Sequence, residues 1–144
     1  MNGAPRIARR DDVPAIQRVR AAVRENRLVS RVISDAEVID HLESLGRGWV
    51  IEAGGEVVAF AIGRIHDGNI WALFVDPAHD RRGYGRRLHD AMVAWMFGEG
   101  LVRLWLTTEP GTRAEGFYRK AGWTDCGLVA SGERRFEMAR DSRA

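Results

Sequence analysis

The chain has 144 residues, of which 45% are hydrophobic and 29% are charged. This length predicts a single domain spanning residues 1–144, and the composition argues against a disordered chain. The only cysteine, Cys126, excludes an internal disulfide framework and a cysteine-rich zinc site. No apolar run approaches the roughly 20 residues that cross a bilayer, and the first residues lack the apolar segment of a secretory signal. We therefore expect a cytoplasmic protein with no membrane partner.

The charge is nearly balanced, with 22 basic and 20 acidic residues and a formal net charge of +2. Every basic residue except Lys120 is an arginine, whose planar guanidinium suits phosphate groups. Four of the arginines fall within residues 79–87, against one acid. Elsewhere the signs are mixed, so we expect no nucleic-acid partner.

The first third of the chain predicts a short strand and two helices. The strand covers residues 7–9, and an amphipathic pattern after it predicts a helix that ends near residue 26. Ser34 and Glu37 have the spacing of a capping box, which starts a second helix. Gly46 ends that helix.

A strand meander and then alternating helices and strands follow. Residues 49–53 and 57–62 flank a Gly-Gly turn and predict a hairpin, and the continuous apolar run 70–75 predicts a central strand covered on both faces. Next come a helix that follows a glycine-bearing loop, a strand over 101–108, and a short helix that starts with a capping box. Residues 123–138 predict two further strands. The order predicts a mixed α/β (α+β) fold.

The loop between the central strand and the following helix is the most informative stretch. A loop that opens a helix leaves backbone N–H groups without partners, and the helix dipole favours an anion there. Gly83 and Gly85 allow the backbone to approach a ligand closely. Leu88 stands where a dinucleotide-binding fingerprint needs a third small residue, and Lys120 is too distant for a Walker loop. The pattern indicates a phosphate site, with a glycine-rich turn carrying solvated arginines as the alternative.

Two blocks resemble the GNAT superfamily of acyl-CoA N-acyltransferases. The first covers residues 73–88 (LFVDPAHDRRGYGRRL) and the second covers residues 114–123 (AEGFYRKAGW). The resemblance implies a mixed, mainly antiparallel sheet of six to seven strands flanked by about four helices. It also implies transfer of an acetyl group from acetyl-CoA, the cosubstrate, to a small-molecule or peptide amine in a ternary complex. No metal is expected. The oligomeric state stays open, with a homodimer as the state that is common among soluble oligomers.

The resemblance assigns roles residue by residue. Loop N–H groups would hold the CoA pyrophosphate at Arg81, Arg82, Gly83, Tyr84, Gly85 and Arg86. The pantetheine arm would lie where two strands splay apart, against the backbone of Leu73, Phe74 and Val75. Tyr118 occupies the position of the general acid that protonates the departing thiolate; the alternative is a purely structural core aromatic.

The sequence departs from the family pattern at two positions of the cofactor site. Asp80 replaces the usual Gln or Arg three residues before the first glycine, which puts an acid beside a polyanion. Either its side chain turns away to pair with an arginine or CoA binding is weakened. Gly111 replaces an Asn at the start of the second block, which removes one side-chain contact to the cofactor.

The sequence assigns neither the general base nor the amine acceptor to a single candidate. Apolar residues fill the central-strand positions where many family members carry a glutamate, which leaves Glu52, His66, Glu109 or a water chain as candidates. The acceptor is expected against residues 26–31 and the C-terminal strands, with Trp71 and Trp105 as candidate pocket residues. A non-catalytic acyl-CoA-binding or sensing module and a small nucleic-acid-binding domain are the rival functions.

Overall fold

The computed structural model describes residues 3–23 and 33–140 of the chain. Within these ranges the helices are α1 (Val13–Ala22), α2 (Asp35–Asp40), α3 (Tyr84–Gly98) and α4 (Arg113–Lys120). The strands are β1 (Arg6–Ile7), β2 (Gly46–Ala53), β3 (Glu56–Arg64), β4 (Ile70–Val75), β5 (Arg103–Thr108), β6 (Thr124–Leu128) and β7 (Arg134–Ala139). This arrangement confirms the predicted mixed, mainly antiparallel α/β fold.

The strands form two antiparallel groups with a gap between them. One group has the order β1-β2-β3-β4 and the other has the order β5-β7-β6. Between β4 and β5 the described residues form one isolated parallel bridge, which joins Asn69 to Trp105. The Trp105 indole also donates a 3.0 Å hydrogen bond to the Asp67 carbonyl oxygen. Since β4 and β5 are joined only at this point, the sheet opens toward their C-terminal ends.

The core is divided between the two faces of the β2–β3–β4 group. On one face, α3 buries Leu88, Met92 and Met96 at four-residue spacing. On the other face, α1 and α2 bury apolar residues against Phe60 and Ile62 of β3. The continuous apolar runs in these strands follow from this packing, because each face is covered. Truncating a fully buried Leu or Met to Ala in such a core costs about 2–5 kcal/mol.

The start of α2 agrees with the sequence prediction, whereas the end of α1 differs from it. Ser34 caps α2 through a 3.1 Å bond from the Glu37 N–H, as predicted. The helix then widens into a π-helical turn, His41–Leu45, before Gly46 begins β2. The first helix ends at Ala22 rather than near residue 26, because the backbone at Val23 is extended. Among the described helices, none is both long and apolar enough to cross a membrane.

Candidate functional site

The loop between β4 and α3 has the left-handed backbone that its glycines predict. Asp76 turns the chain after β4, where its carboxylate accepts a 3.0 Å bond from the Ala78 N–H. Gly83 has a φ of 80°, and Arg81, which is not a glycine, has a φ of 60°. A non-glycine residue in this region costs roughly 1–2 kcal/mol, and such strain concentrates at functional sites.

The same loop presents a row of unpartnered backbone donors. Of the donors predicted at residues 81–86, the Arg81 N–H is bound to the Asp80 carboxylate, whereas the N–H groups of residues 82–86 donate no hydrogen bond to any described residue. The ladder of α3 resumes with the 3.1 Å bond from the Arg87 N–H to the Gly83 carbonyl oxygen. These free N–H groups open a helix of 15 residues, whose dipole adds positive potential at this end. Arg81, Arg82 and Arg86 have exposed side chains around them. The arrangement is suited to an anion.

A cleft of about 570 Å³ lies beside this loop, in the gap between β4 and α4. Its size falls within the usual range for ligand sites. The residues that line it come from the end of α1, the end of β4, the loop and the start of α4: Ala22, Val23, Leu73, Phe74, Val75, Pro77, Asp80, Gly85, Thr112, Arg113, Ala114, Phe117 and Tyr118. The structure therefore brings the three predicted β4 residues and Tyr118 to one cavity.

Tyr118 is held in the cleft wall by other aromatic rings. It is only 6% exposed, and its ring lies 5.2 Å from Phe117 and 5.6 Å from Trp123 between centroids. Burial raises the pKa of its hydroxyl above the ordinary value of 10.0. This hydroxyl forms no hydrogen bond with any described residue. A neutral phenol that faces a cavity can donate its proton to a group bound there.

Asp80 is paired across the mouth of the cleft. Both of its carboxylate oxygens bind the guanidinium of Arg113 at the start of α4, one of them through a 3.0 Å bond from Nη2. The hydrogen bond from Arg113, assisted by the nearby Arg81 N–H, holds the pKa of Asp80 below its usual value. Of the two outcomes predicted for this acid, the structure shows the pairing with an arginine.

A second cavity, of about 770 Å³, lies on the α1 and α2 side of the same gap. It shares Val23 and Phe74 with the first cleft. Trp71 and Trp105, the two candidate pocket residues, both line it. Glu133, from the turn that precedes β7, is the one acidic residue among the described residues that line it. The two cavities are therefore adjacent at Val23 and Phe74.

The chain is similar to known proteins over most of its length. Residues 16–123 match the model described as "Acetyltransferase (GNAT) family", which is most of the chain. The chain belongs to the GNAT acetyltransferase family. No curated protein matches this GNAT chain.

Solved structures of other acetyltransferases share its fold. The ribosomal-protein-S18-alanine N-acetyltransferase from Escherichia coli has a TM-score of 0.73 at 19% identity, covering 99% of this chain and 98% of its own. The ribosomal-protein-alanine N-acetyltransferase from Brucella melitensis has a TM-score of 0.79 at 19% identity, over 94% and 99%. PaiA N-acetyltransferase from Thermoplasma acidophilum, solved with coenzyme A, has a TM-score of 0.79 at 14% identity, over 94% and 98%. At these identities the likeness shows the fold alone.

In this GNAT protein, none of the three candidate bases lines either cavity among the described residues. Glu52 is bound to Arg6 by hydrogen bonds of 2.9 and 2.6 Å. The His66 side chain is 62% exposed in a turn, and Glu109 follows the end of β5. The predicted acceptor segment, residues 26–31, lies outside the described residues. Within the described ranges, no group of three or more His, Cys, Asp or Glu side chains could hold a metal ion.

Gly111, a departure from the family pattern, was found in the sequence, whereas Glu133 was not. Gly111 has a φ of 81°, and its N–H donates a 3.2 Å bond to Glu115 in α4, so this glycine shapes the turn that starts the helix. Glu133 was not among the residues predicted for the site. Its only signal was a position at the start of the last predicted strand, and that strand had no assigned neighbour.

Proposed function

We propose that this GNAT protein transfers an acetyl group from acetyl-CoA to a primary amine, directly and within a ternary complex. The observation that carries the proposal is the row of unpartnered N–H groups at residues 82–86, which lies beside the cleft between β4 and α4. A diphosphate presents several anionic oxygens in a row, and a helix N-terminus with a glycine-rich loop binds such a group through its backbone.

The cleft next to this loop has a surface suited to the pantetheine arm. β4 pairs with β3 through one edge, where Leu73 lies opposite Ala61 and Val75 opposite Ala59. The other edge has no strand partner beyond Asn69 among the described residues. Free backbone donors and acceptors along Leu73–Val75 can therefore bind the amides of an extended chain, much as an added strand would. A backbone N–H there would also polarise the thioester carbonyl.

Tyr118 is proposed as the general acid. The amine nitrogen attacks the thioester carbon, a C–N bond forms, the C–S bond breaks, and the departing sulfur needs a proton. The Tyr118 hydroxyl carries its proton at neutral pH, since the ordinary tyrosine pKa of 10.0 is well above 7 and burial raises the pKa further. It donates that proton to sulfur and recovers one from the nitrogen that has just been acylated. Acetyl-CoA and an ammonium ion thus give an acetamide, CoA thiol and one released proton.

The alternative function is a module that binds acyl-CoA without catalysis. Asp80 and Gly111, which replace two side chains of the family pattern, are the features that favour it. The two functions are separated by measuring thiol release from acetyl-CoA in the presence of a panel of small amines and peptides. Amine-dependent release supports the transferase, whereas CoA binding with no release for any amine supports the sensor.

A further inference from the structure

The cavity on the α1 and α2 side has one acidic group in its wall. Among the described residues that line it, Glu133 is the single carboxylate, and most of the others are apolar or aromatic. An anionic oxygen in such a wall is favourable when a cation lies against it. A cationic group on an apolar body would therefore be favourable against Glu133, although two arginines, Arg20 and Arg64, also line the cavity.

Glu133 is fixed in position by the turn between β6 and β7. Its carbonyl oxygen accepts a 2.8 Å bond from the Val129 N–H. Its Oε1 accepts a 3.2 Å bond from the Ser131 hydroxyl. Its other carboxylate oxygen, Oε2, accepts no hydrogen bond from any described residue. One oxygen thus anchors the side chain and the second is available to a ligand.

The arginines around Glu133 have other partners in the structure. Arg134 and Arg135, next to it on β7, are each bound by acidic side chains. Arg64 of β3, which also lines the cavity, is bound to Asp67 by hydrogen bonds of 3.1 and 2.8 Å. Arg20 of α1 is the remaining charged residue of the cavity lining. Among the described residues, Arg64, Arg134 and Arg135 form their ion pairs with acids other than Glu133.

Two indole rings beside the gap have restricted positions. Trp71 of β4 stacks on the buried His41 with ring centroids 3.6 Å apart and an interplanar angle of 11°. Trp105 of β5 is covered by the Arg135 guanidinium at 4.5 Å and donates its indole N–H to a backbone carbonyl. Arg135 of β7 lies over the Trp105 ring, and Glu133 precedes Arg135 by two residues, the spacing that places side chains on the same face of a strand. Preorganised aromatic surfaces of this kind bind flat apolar groups.

We propose that this cavity binds a primary ammonium group carried on a flat apolar arm, and that Glu133 binds the ammonium and takes its first proton. The inference rests on the proposed acetyl transfer and names its acceptor class. One N–H bond of the ammonium breaks and its proton passes to the Glu133 carboxylate, which later releases it to solvent. The lone pair that remains on nitrogen attacks the thioester at the point where the two cavities meet.

The test compares 2-phenylethylamine with 2-phenylethanol, which has nearly the same shape and no charge. Their dissociation constants are measured by ligand-observed NMR on the protein alone and on the protein loaded with CoA. The amine should bind about tenfold or more tightly than the alcohol, since a hydrogen bond to an ionised carboxylate is among the stronger ones. Equal affinities for the two probes would overturn the proposal, and this arm needs no variant.

The second arm uses Glu133→Gln, which keeps an oxygen to accept the Ser131 bond. This variant should lose the preference for the amine and keep its affinity for CoA. Glu99→Gln, which removes an exposed carboxylate beyond the end of α3, is the matched control and should behave as the wild type. A preference that survives Glu133→Gln would contradict the role of this residue.

The pH dependence of kcat/KM distinguishes a proton acceptor from a residue that only supports the structure. With 2-phenylethylamine as acceptor, Glu133→Gln should lower kcat/KM about 100-fold at neutral pH. The loss should shrink by about tenfold per pH unit as the free amine becomes abundant. A loss that is equal at every pH would contradict the role of Glu133 in taking the proton. Failure of the wild type to bind CoA would refute the proposed function, whereas CoA binding without a Glu133-dependent preference would refute this inference alone.

Discussion

Replacing Tyr118 by phenylalanine should separate catalysis from folding. The ring would keep its contacts with Phe117 and Trp123, at centroid distances of 5.2 and 5.6 Å. The hydroxyl that is removed has no hydrogen-bond partner among the described residues, so no buried group is left unpaired. The free energy of unfolding should therefore change by less than about 1 kcal/mol.

The same substitution should change kcat much more than it changes the free energy of unfolding. A positioned general acid contributes about 100-fold or more, and 100-fold corresponds to about 2.7 kcal/mol of activation free energy. We expect Tyr118→Phe to lower kcat by about this factor while the dissociation constant for acetyl-CoA stays within about twofold. The assay is thiol release with saturating amine, accompanied by calorimetry with CoA and by urea unfolding.

Two results would refute the reasoning about Tyr118. Unchanged kcat would show that the thiolate obtains its proton elsewhere. A large loss of stability, with CoA affinity and kcat falling together, would show that Tyr118 is a structural core residue.

Three further changes probe the cofactor loop and the core. Gly83→Ala forces a Cβ onto a φ of 80° and should lower the free energy of unfolding by about 1–2 kcal/mol and weaken CoA binding, measured by urea unfolding and calorimetry. Asp80→Asn removes a negative charge at the cleft mouth and releases Arg113, so CoA affinity should rise by about threefold to tenfold at low salt, with a smaller gain at high salt. Burial lowers the pKa of His89, and its Nε2 accepts a 2.9 Å bond from the Trp123 indole, so the folded state binds fewer protons than the unfolded state. The free energy of unfolding should therefore decrease as the pH falls below the ordinary histidine value of 6.5, which urea titrations at several pH values would measure.

Matched controls accompany two of these changes. Gly98 ends α3 with open space around it and without a positive φ, so Gly98→Ala should leave CoA affinity and stability nearly unchanged. An equal effect at Gly83 and Gly98 would contradict the role of the loop conformation. His66 is largely exposed, so His66→Ala should keep the acid sensitivity of the wild type. Weaker CoA binding in Asp80→Asn, or stability that is constant with pH, would contradict the other two predictions.

The sequence predicted the parts of the fold that depend on local patterns. Capping by Ser34, the hairpin around Gly54 and the loop before α3 all follow from a few neighbouring residues. The division of the strands into two groups was not visible locally, because it depends on which strand lies beside β4. The π-helical turn that packs His41 against Trp71 is likewise set by a contact between distant segments.

In the candidate site, too, local features were predictable from the sequence and long-range contacts were not. Backbone donors at residues 82–86 were predictable, since a helix N-terminus leaves them unpaired wherever it lies. A side chain that reaches a cavity depends on long-range pairing, and no spacing rule finds it. Glu52 was a reasonable candidate base, yet it is bound to Arg6, 46 residues away in the chain. Glu133 reaches the cavity only because β7 pairs with β5, where Arg134 lies opposite Thr108.

Backbone amide NMR during a titration with coenzyme A tests the central claim most directly. If the N–H groups of residues 82–86 bind the diphosphate, their resonances should show the largest downfield proton shifts, and they should become protected from exchange with solvent. ADP, which carries the same diphosphate, should shift the same amides and leave Leu73–Val75 unchanged. Binding of coenzyme A with no response at residues 82–86, or no binding at all, would contradict the account.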